Sequence, residues 1–185
     1  MMRVVFLVLV ALPALAECPP LPDRSARHIE LMELVASAPD EDTARNLSNE
    51  MWEIWTTAPN ETAQEILRRG MERRASYNFA GAMEDFDTLI DYCPHYAEGY
   101  NQRAFVHFIR QDYPASLTDL ERALELTPDH IGALSGRALA LLQLGRKEEG
   151  QIALREALIR NPWLPERHRL QPLEKTAPDI RETDL

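Results

Sequence analysis

The sequence predicts an all-α solenoid of antiparallel helical hairpins, and three observations carry that reading. Pro94, Pro128 and Pro162 recur every 34 residues. Small residues recur with them, at Gly70, Ala104 and Ala138 and again at Ala82, Ser116 and Gly150. A large apolar residue follows each second small one, at Phe86, Leu120 and Leu154. Self-similarity at a period of this size marks a unit that buries its apolar face only against its neighbours.

The elements follow in order. Residues 1–16 begin with Arg3, continue through an apolar stretch from Val4 to Leu12 and end on Ala14, Leu15 and Ala16. That is the layout of a cleavable secretory signal, too short and wrongly flanked for a membrane span. Cleavage is expected after Ala16, which places the mature chain in the periplasm or outside the cell. Glu17 stands where acylation of Cys18 would need a small residue. Residues 17–62 then supply a linker and a degenerate hairpin, with helices over 25–38 and 42–57. Ile29, Leu31, Met32, Leu34 and Val35 give one apolar face, and Leu47, Met51, Trp52, Ile54 and Trp55 give the other. Pro59 lies close to where a fourth repeat proline would fall, so this hairpin is expected to cap the stack at its N-terminal end.

Three units follow, over 63–96, 97–130 and 131–164. Their helices are predicted at 63–77 and 81–92, 97–111 and 114–126, 131–144 and 147–160. Asn78-Phe79, Asp112-Tyr113 and Gly145-Arg146 mark the turns. Asn78 and Gly145 suit a left-handed helix end, and Pro114 suits a first helical turn. Each recurring proline stops the second helix, because the residue before a proline is forced out of the helical region. Trp163, Leu164, Leu170 and Leu173 are expected to cover the last hairpin, and the C-terminal capping segment 165–185 frays from Lys175.

The second unit carries Tyr100, Ala104, Tyr113, Ser116, Leu120, Ala123 and Pro128 at the motif positions of the tetratricopeptide repeat, and resembles that family along its whole length. The first unit departs from the motif at Arg73 and Leu89, and the third at Lys147. The resemblance covers 63–164 and looks like that of an exported bacterial member. It implies a non-enzymatic scaffold whose first helices line a concave groove. The groove-facing residues it implies are Leu67, Met71, Asn101, Phe105, Phe108, Ser135, Leu139 and Leu142. A peptide or helix of a partner protein would lie there, unless the stripe is core or is covered by the chain itself. The lysine and asparagine clamp by which some relatives hold a C-terminal carboxylate is missing.

Composition narrows the function classes. A formal charge of -10 sets a repulsive average field against nucleic acid. Cys18 and Cys93, the two cysteines, are a candidate disulfide in an oxidising compartment, with two free thiols as the alternative. Arg69 and Asp85 in the first unit, and Arg103 and Asp119 in the second, occupy matching places and are expected to form structural ion pairs across each hairpin. Arg137 has Ala153 at the matching place, so it either reaches back to Asp119 or stays free for a ligand carboxylate. His28, His95, His107, His130 and His168 are scattered without metal-ligand spacing, and no phosphate loop or catalytic motif is present. No cofactor, metal or catalytic residue is therefore expected. The leading reading is an exported protein-interaction module, possible settings being cell-envelope assembly and secretion. Its rival is a structural subunit that docks in a larger complex or homodimer through the Trp52 and Trp55 hairpin or the convex face.

Overall fold

The computed structural model describes residues 18–23 and 25–172. The leader and its cleavage point, Leu173 and the tail from Lys175 lie outside the described residues. Among the described residues there are eight α-helices and one 3-10 helix: α1 Ser25–Ala36, α2 Glu41–Trp55, α3 Glu61–Ala75, α4 Phe79–Tyr92, α5 Ala97–Ile109, α6 Tyr113–Leu126, α7 Ile131–Gln143, α8 Lys147–Arg160 and the 3-10 turn Pro165–Arg169.

Local chemistry sets these boundaries. Asp40, Asn60, Asn78, Asp112 and His130 each precede a helix and accept a hydrogen bond from the backbone N–H three residues on, satisfying a donor that the first turn leaves free. Each first helix ends on a left-handed residue at the same register: Tyr77 (φ 62°), Gln111 (φ 63°) and Gly145 (φ 76°). The next amide reaches back across the turn, Asn78 to Arg73, Asp112 to His107 and Arg146 to Leu141, at 2.8, 2.9 and 3.0 Å. Gly145 takes this conformation without cost; Tyr77 and Gln111 take it under strain. Asn78 is thus the cap of α4, and the left-handed place expected for it belongs to Tyr77. Each second helix stops at Cys93, Thr127 or Asn161, where φ values of -127°, -140° and -142° are those a following proline requires.

The helices pair as α3–α4, α5–α6 and α7–α8, and successive hairpins stack through α4 on α5 and α6 on α7. Small residues permit the approach. A Cβ on Gly70 would stand 2.5 Å from the Phe86 ring, which is fully buried. One cluster gathers Leu67, Phe86, Leu89 and Cys93 of the first unit with Val106 of the second, and another gathers Leu120, Leu124, Leu134, Leu141 and Leu154 of the second and third units.

The first hairpin departs from expectation. It does not stack on α3 as a repeat in register would. Instead it lies along the edge formed by the inter-repeat loops, where Leu31, Met32, Val35 and Met51 bury themselves against Ile131 and Leu164. Tyr96 donates to the Trp55 carbonyl at 2.6 Å, Trp163 Nε1 to Ala38 at 3.0 Å and Asn161 Nδ2 to Ser48 Oγ at 3.1 Å. The physical reason lies on α3, whose outer face carries exposed Arg68 paired with Glu65 and Glu72. A charged face gives an apolar hairpin nothing to bury against, whereas Ile131 and Leu164 do. Cys18 and Cys93 are bonded, with Cα atoms 5.1 Å apart, which ties the start of the hairpin segment to the end of α4.

Candidate functional site: a roofed concave channel

The first helices α3, α5 and α7 touch in that order, so one face of each contributes to a common concave surface. The fifth, ninth and twelfth residues of a unit share that face, because spacings of four and three return to the same side of a helix. The second unit presents Asn101, Phe105 and Phe108 there, and the third presents Ser135 and Leu139. Together with Trp52 from α2 they line a channel of about 430 Å³. Phe105 is 47% exposed within it, a large ring left in water by a protein that buries Phe86 completely.

Three of the residues expected to face the groove do not line the channel. Leu67 is fully buried in the first core cluster, and Met71 packs on that cluster. Leu142 turns into its own hairpin, where its side chain meets the place that a Cβ on Gly150 would take. In exchange the first unit presents its twelfth residue, Arg74. Sequence reasoning missed it, although the step from Asn101 and Phe105 to Phe108, applied to Leu67 and Met71, leads straight to it.

Arg74 sets the chemistry of one end of the channel. Its guanidinium lies 4.4 Å from the centroid of the Phe105 ring, close enough for cation–π attraction. Its Nε is buried without a hydrogen-bond partner. Burial pushes its pKa down, with the charge of Glu98 opposing that shift. At the other end Glu166, half-buried on the 3-10 turn, lines the channel and makes no ion pair among the described residues.

The other arginines serve the scaffold. Arg69 meets Asp85 at 2.6 Å, and Arg73 reaches the second oxygen of that buried carboxylate at 3.1 Å. Arg103 grips Asp119 through two nitrogens, at 2.8 and 2.7 Å, and also meets Asp87 at 2.7 Å, so its pKa is raised chiefly by the Asp119 hydrogen bonds. Arg137 neither reaches back to Asp119 nor stays free: it pairs with Glu156 on α8. Ala153 removed the expected partner, and Glu156, one helical turn on, replaces it.

A second polar cluster lies where the hairpin meets the loop edge. Glu98 and His130 are each 1% exposed and meet at 2.8 Å, while Asn101 and Gln102 donate to the same carboxylate at 3.1 and 2.5 Å. His130 Nδ1 accepts from the Ala133 amide, so the ring proton sits on Nε2 and points at Glu98. Trp55 stacks on His130 at 4.3 Å between ring centroids, with His28 edge-on to its indole at 5.8 Å. Two of the scattered histidines of the sequence, His28 and His130, thus converge on Trp55. Among the described residues no three His, Cys, Asp or Glu side chains are placed to hold a metal ion, and no helix is long and apolar enough to cross a membrane.

Stacked antiparallel hairpins, a common turn closing every first helix and a channel lined by those helices define a helical-repeat solenoid. Within that class the chain has the fold of tetratricopeptide-repeat proteins and is similar in sequence to two of them. It is 30% identical over 109 residues to a TPR repeat-containing protein of Rhizobium etli, spanning 59% of this chain and 53% of that one. To the tetratricopeptide repeat protein 36 homolog of Nematostella vectensis it is 37% identical over 76 residues, 41% of each chain. The chain therefore spans about half the length, or less, of the curated relatives it matches. No family model matches it. Among solved structures it superposes on the TPR2B domain of yeast Sti1 in complex with pHsp70, with a TM-score of 0.55 and 19% identity over 60% of this chain and 90% of that one. It likewise superposes on the first TPR of Spaghetti bound to an HSP90 peptide, with a TM-score of 0.56 and 20% identity over 58% and 85%. At these identities the likeness is one of fold.

Proposed function

We propose that this chain is a protein-interaction module that holds an extended peptide segment of a partner in the channel between α5, α7 and Trp52. The carrying observation is the channel itself, with the exposed ring of Phe105 at its centre and polar Asn101 and Ser135 beside it. The complexes formed by the TPR domains of yeast Sti1 and Spaghetti with chaperone partners support peptide binding on this fold. The channel, with Trp52 over it, suits a strand-like segment that sets alternate side chains into it.

The hairpin is a fixed wall of this site. Leu31, Val35 and Met51 are fully buried in its contact with the repeats, as core residues are. Export belongs to the same proposal: the bonded Cys18 and Cys93 suit an oxidising space, and the sequence ahead of them has the layout of a secretory signal. Cell-envelope assembly or secretion is the setting this favours. The test is a selection of linear peptides against the folded, disulfide-bonded chain. Captured peptides are expected to be lost on Phe105→Ala and Phe108→Ala and retained on Ile159→Ala; capture indifferent to both phenylalanines refutes the channel.

Docking through the outer face has one observation in its favour. Ile152 and Ile159, seven residues apart on one side of α8, are 65% and 72% exposed. If that face joins the chain to a larger assembly or to a second copy, an Ile152→Glu, Ile159→Glu double variant changes the sedimentation of that assembly and leaves peptide capture intact.

A further inference from the structure

The two ends of the channel carry opposite charges that the fold leaves unmatched. At the first unit stands Arg74, beyond salt-bridge reach of every described carboxylate, with its Nε buried and unpartnered. Arg155, also half-buried and without a carboxylate, differs because its terminal nitrogens bond to the carbonyls of Gln151 and Gln171. The Phe105 ring holds the plane of the Arg74 guanidinium at the channel wall. At the opposite end stands Glu166, which follows the third unit and makes no ion pair or side-chain hydrogen bond among the described residues. Arg73 next to Arg74, and Arg167 next to Glu166, are both committed to partners, Asp85 and Glu41. The fold spends the neighbours on its own stability and leaves this pair for something else.

We propose that the channel reads the charge order of its ligand: it takes an extended peptide segment with an acidic side chain at Arg74 and a basic side chain at Glu166. Apolar side chains lie between them on Phe105, Phe108 and Leu139. First helices of neighbouring hairpins stand ~8–10 Å apart, so two steps along the stack cover about 20 Å, and a strand rising ~3.3 Å per residue crosses that distance in about six residues. A planar carboxylate is the natural partner for a guanidinium whose face is already covered by a ring, because its N–H edge stays open to paired hydrogen bonds. Loss of water around a half-buried cation with no described carboxylate in salt-bridge reach strengthens the discrimination, since a neutral or basic residue there leaves the cation unmatched. The net charge of -10 repels acidic ligands in general, and Arg74 makes the local exception that fixes which end of the segment is acidic.

This inference rests on the channel being the binding site, and its test separates the two. A phage library of random linear segments, fused so that no free C-terminus is displayed, is selected against the full disulfide-bonded chain and against Arg74→Glu and Glu166→Lys variants. Against the native chain the enriched segments are expected to carry an acidic and a basic residue about six positions apart, in one order only. Against Arg74→Glu the acidic place turns basic, and against Glu166→Lys the basic place turns acidic. Replacing the acid of a winning peptide by its amide is expected to weaken binding to the native chain about tenfold by fluorescence anisotropy, and to Arg74→Gln hardly at all. Enriched segments that depend on Phe105 but show no charge order, or keep it in the Arg74 variants, overturn the charge reading and leave the channel standing. Segments that favour a free C-terminal carboxylate or a helical pattern in follow-up binding overturn it as well. Enrichment indifferent to Phe105 overturns both. Circular dichroism of each variant checks the fold, and Arg74→Gln supplies the charge loss if Arg74→Glu does not fold.

Discussion

The three repeats and the N-terminal hairpin are held by different kinds of contact. In the repeats every element meets its neighbour in sequence: α3 packs on α4, α4 on α5, and so on to α8. The hairpin does the opposite, burying Met51 against Ile131 and Leu164 and bonding Ser48 to Asn161, residues about 80 to 115 positions away. Neighbour-to-neighbour packing tolerates loss at one joint, because each interface is a separate term in the stability of the stack. Long-range docking has no such redundancy; it needs the whole solenoid to present its loop edge in one line. The hairpin therefore reports on the integrity of the stack, and perturbations of the two regions should look different.

The largest expected effect is on the tether between them. Cys18→Ser removes the bond that closes a 75-residue separation, while Cys93 remains buried in the first cluster as a small apolar side chain. Loop-closure entropy puts the cost at about 4 kcal/mol. Urea denaturation should show it, and a reductant should reproduce the shift in the native protein but not in the variant. Met51→Ala comes next. Truncating a fully buried side chain at the hairpin contact should cost about 2–5 kcal/mol. Hydrogen exchange is expected to accelerate in α1 and α2 and not in α5 to α8, which distinguishes hairpin release from unfolding of the stack. Gln111→Gly works in the repeats and in the other direction: relieving a left-handed φ of 63° should stabilise by about 0.5–1 kcal/mol, net of the added freedom of the unfolded chain. An unchanged melting temperature would show that this turn carries no strain.

The same division explains what was legible in the sequence. Helix limits in the repeats follow from proline, cap and turn residues acting within one turn of themselves, so spacing alone located α4 through α8 to within about two residues. Periodicity also put Asn101, Phe105 and Phe108 on one helical face and Ser135 and Leu139 on another, and the resemblance to the repeat family turned those faces toward the groove. It failed for Leu67 because the first unit keeps that place for its core, and for Leu142 because Gly150 leaves room for it inside the hairpin. The docking of α1 and α2 was not legible, since no local signal distinguishes an apolar face that meets the next repeat from one that meets Ile131. Trp52 entered the site through that unforeseen packing. Arg74, by contrast, was within reach of the repeat frame and was passed over because a charged residue on an otherwise apolar stripe looks like a departure from it.

The smallest expected effect concerns acid. Arg167 on the 3-10 turn bonds to Glu41 on α2 at 2.8 Å and, with a lesser pull from Arg45, holds that carboxyl below the ordinary glutamate range. A carboxyl whose folded pKa is depressed contributes its stability above the unfolded value, about 4.3, and gives it up as pH falls through the folded value. The contribution is small, because both groups meet water and salt screens them. Its location is nonetheless specific. The Trp163 indole donates to Ala38 beside this pair, so the change should appear in tryptophan fluorescence as the pH is lowered below 4, while helix content in the repeats, read by circular dichroism, stays level. Glu41→Gln should flatten the fluorescence step. If the helical signal falls in parallel, the hairpin and the stack come apart together, and the separation drawn between neighbour packing and long-range docking does not hold under acid.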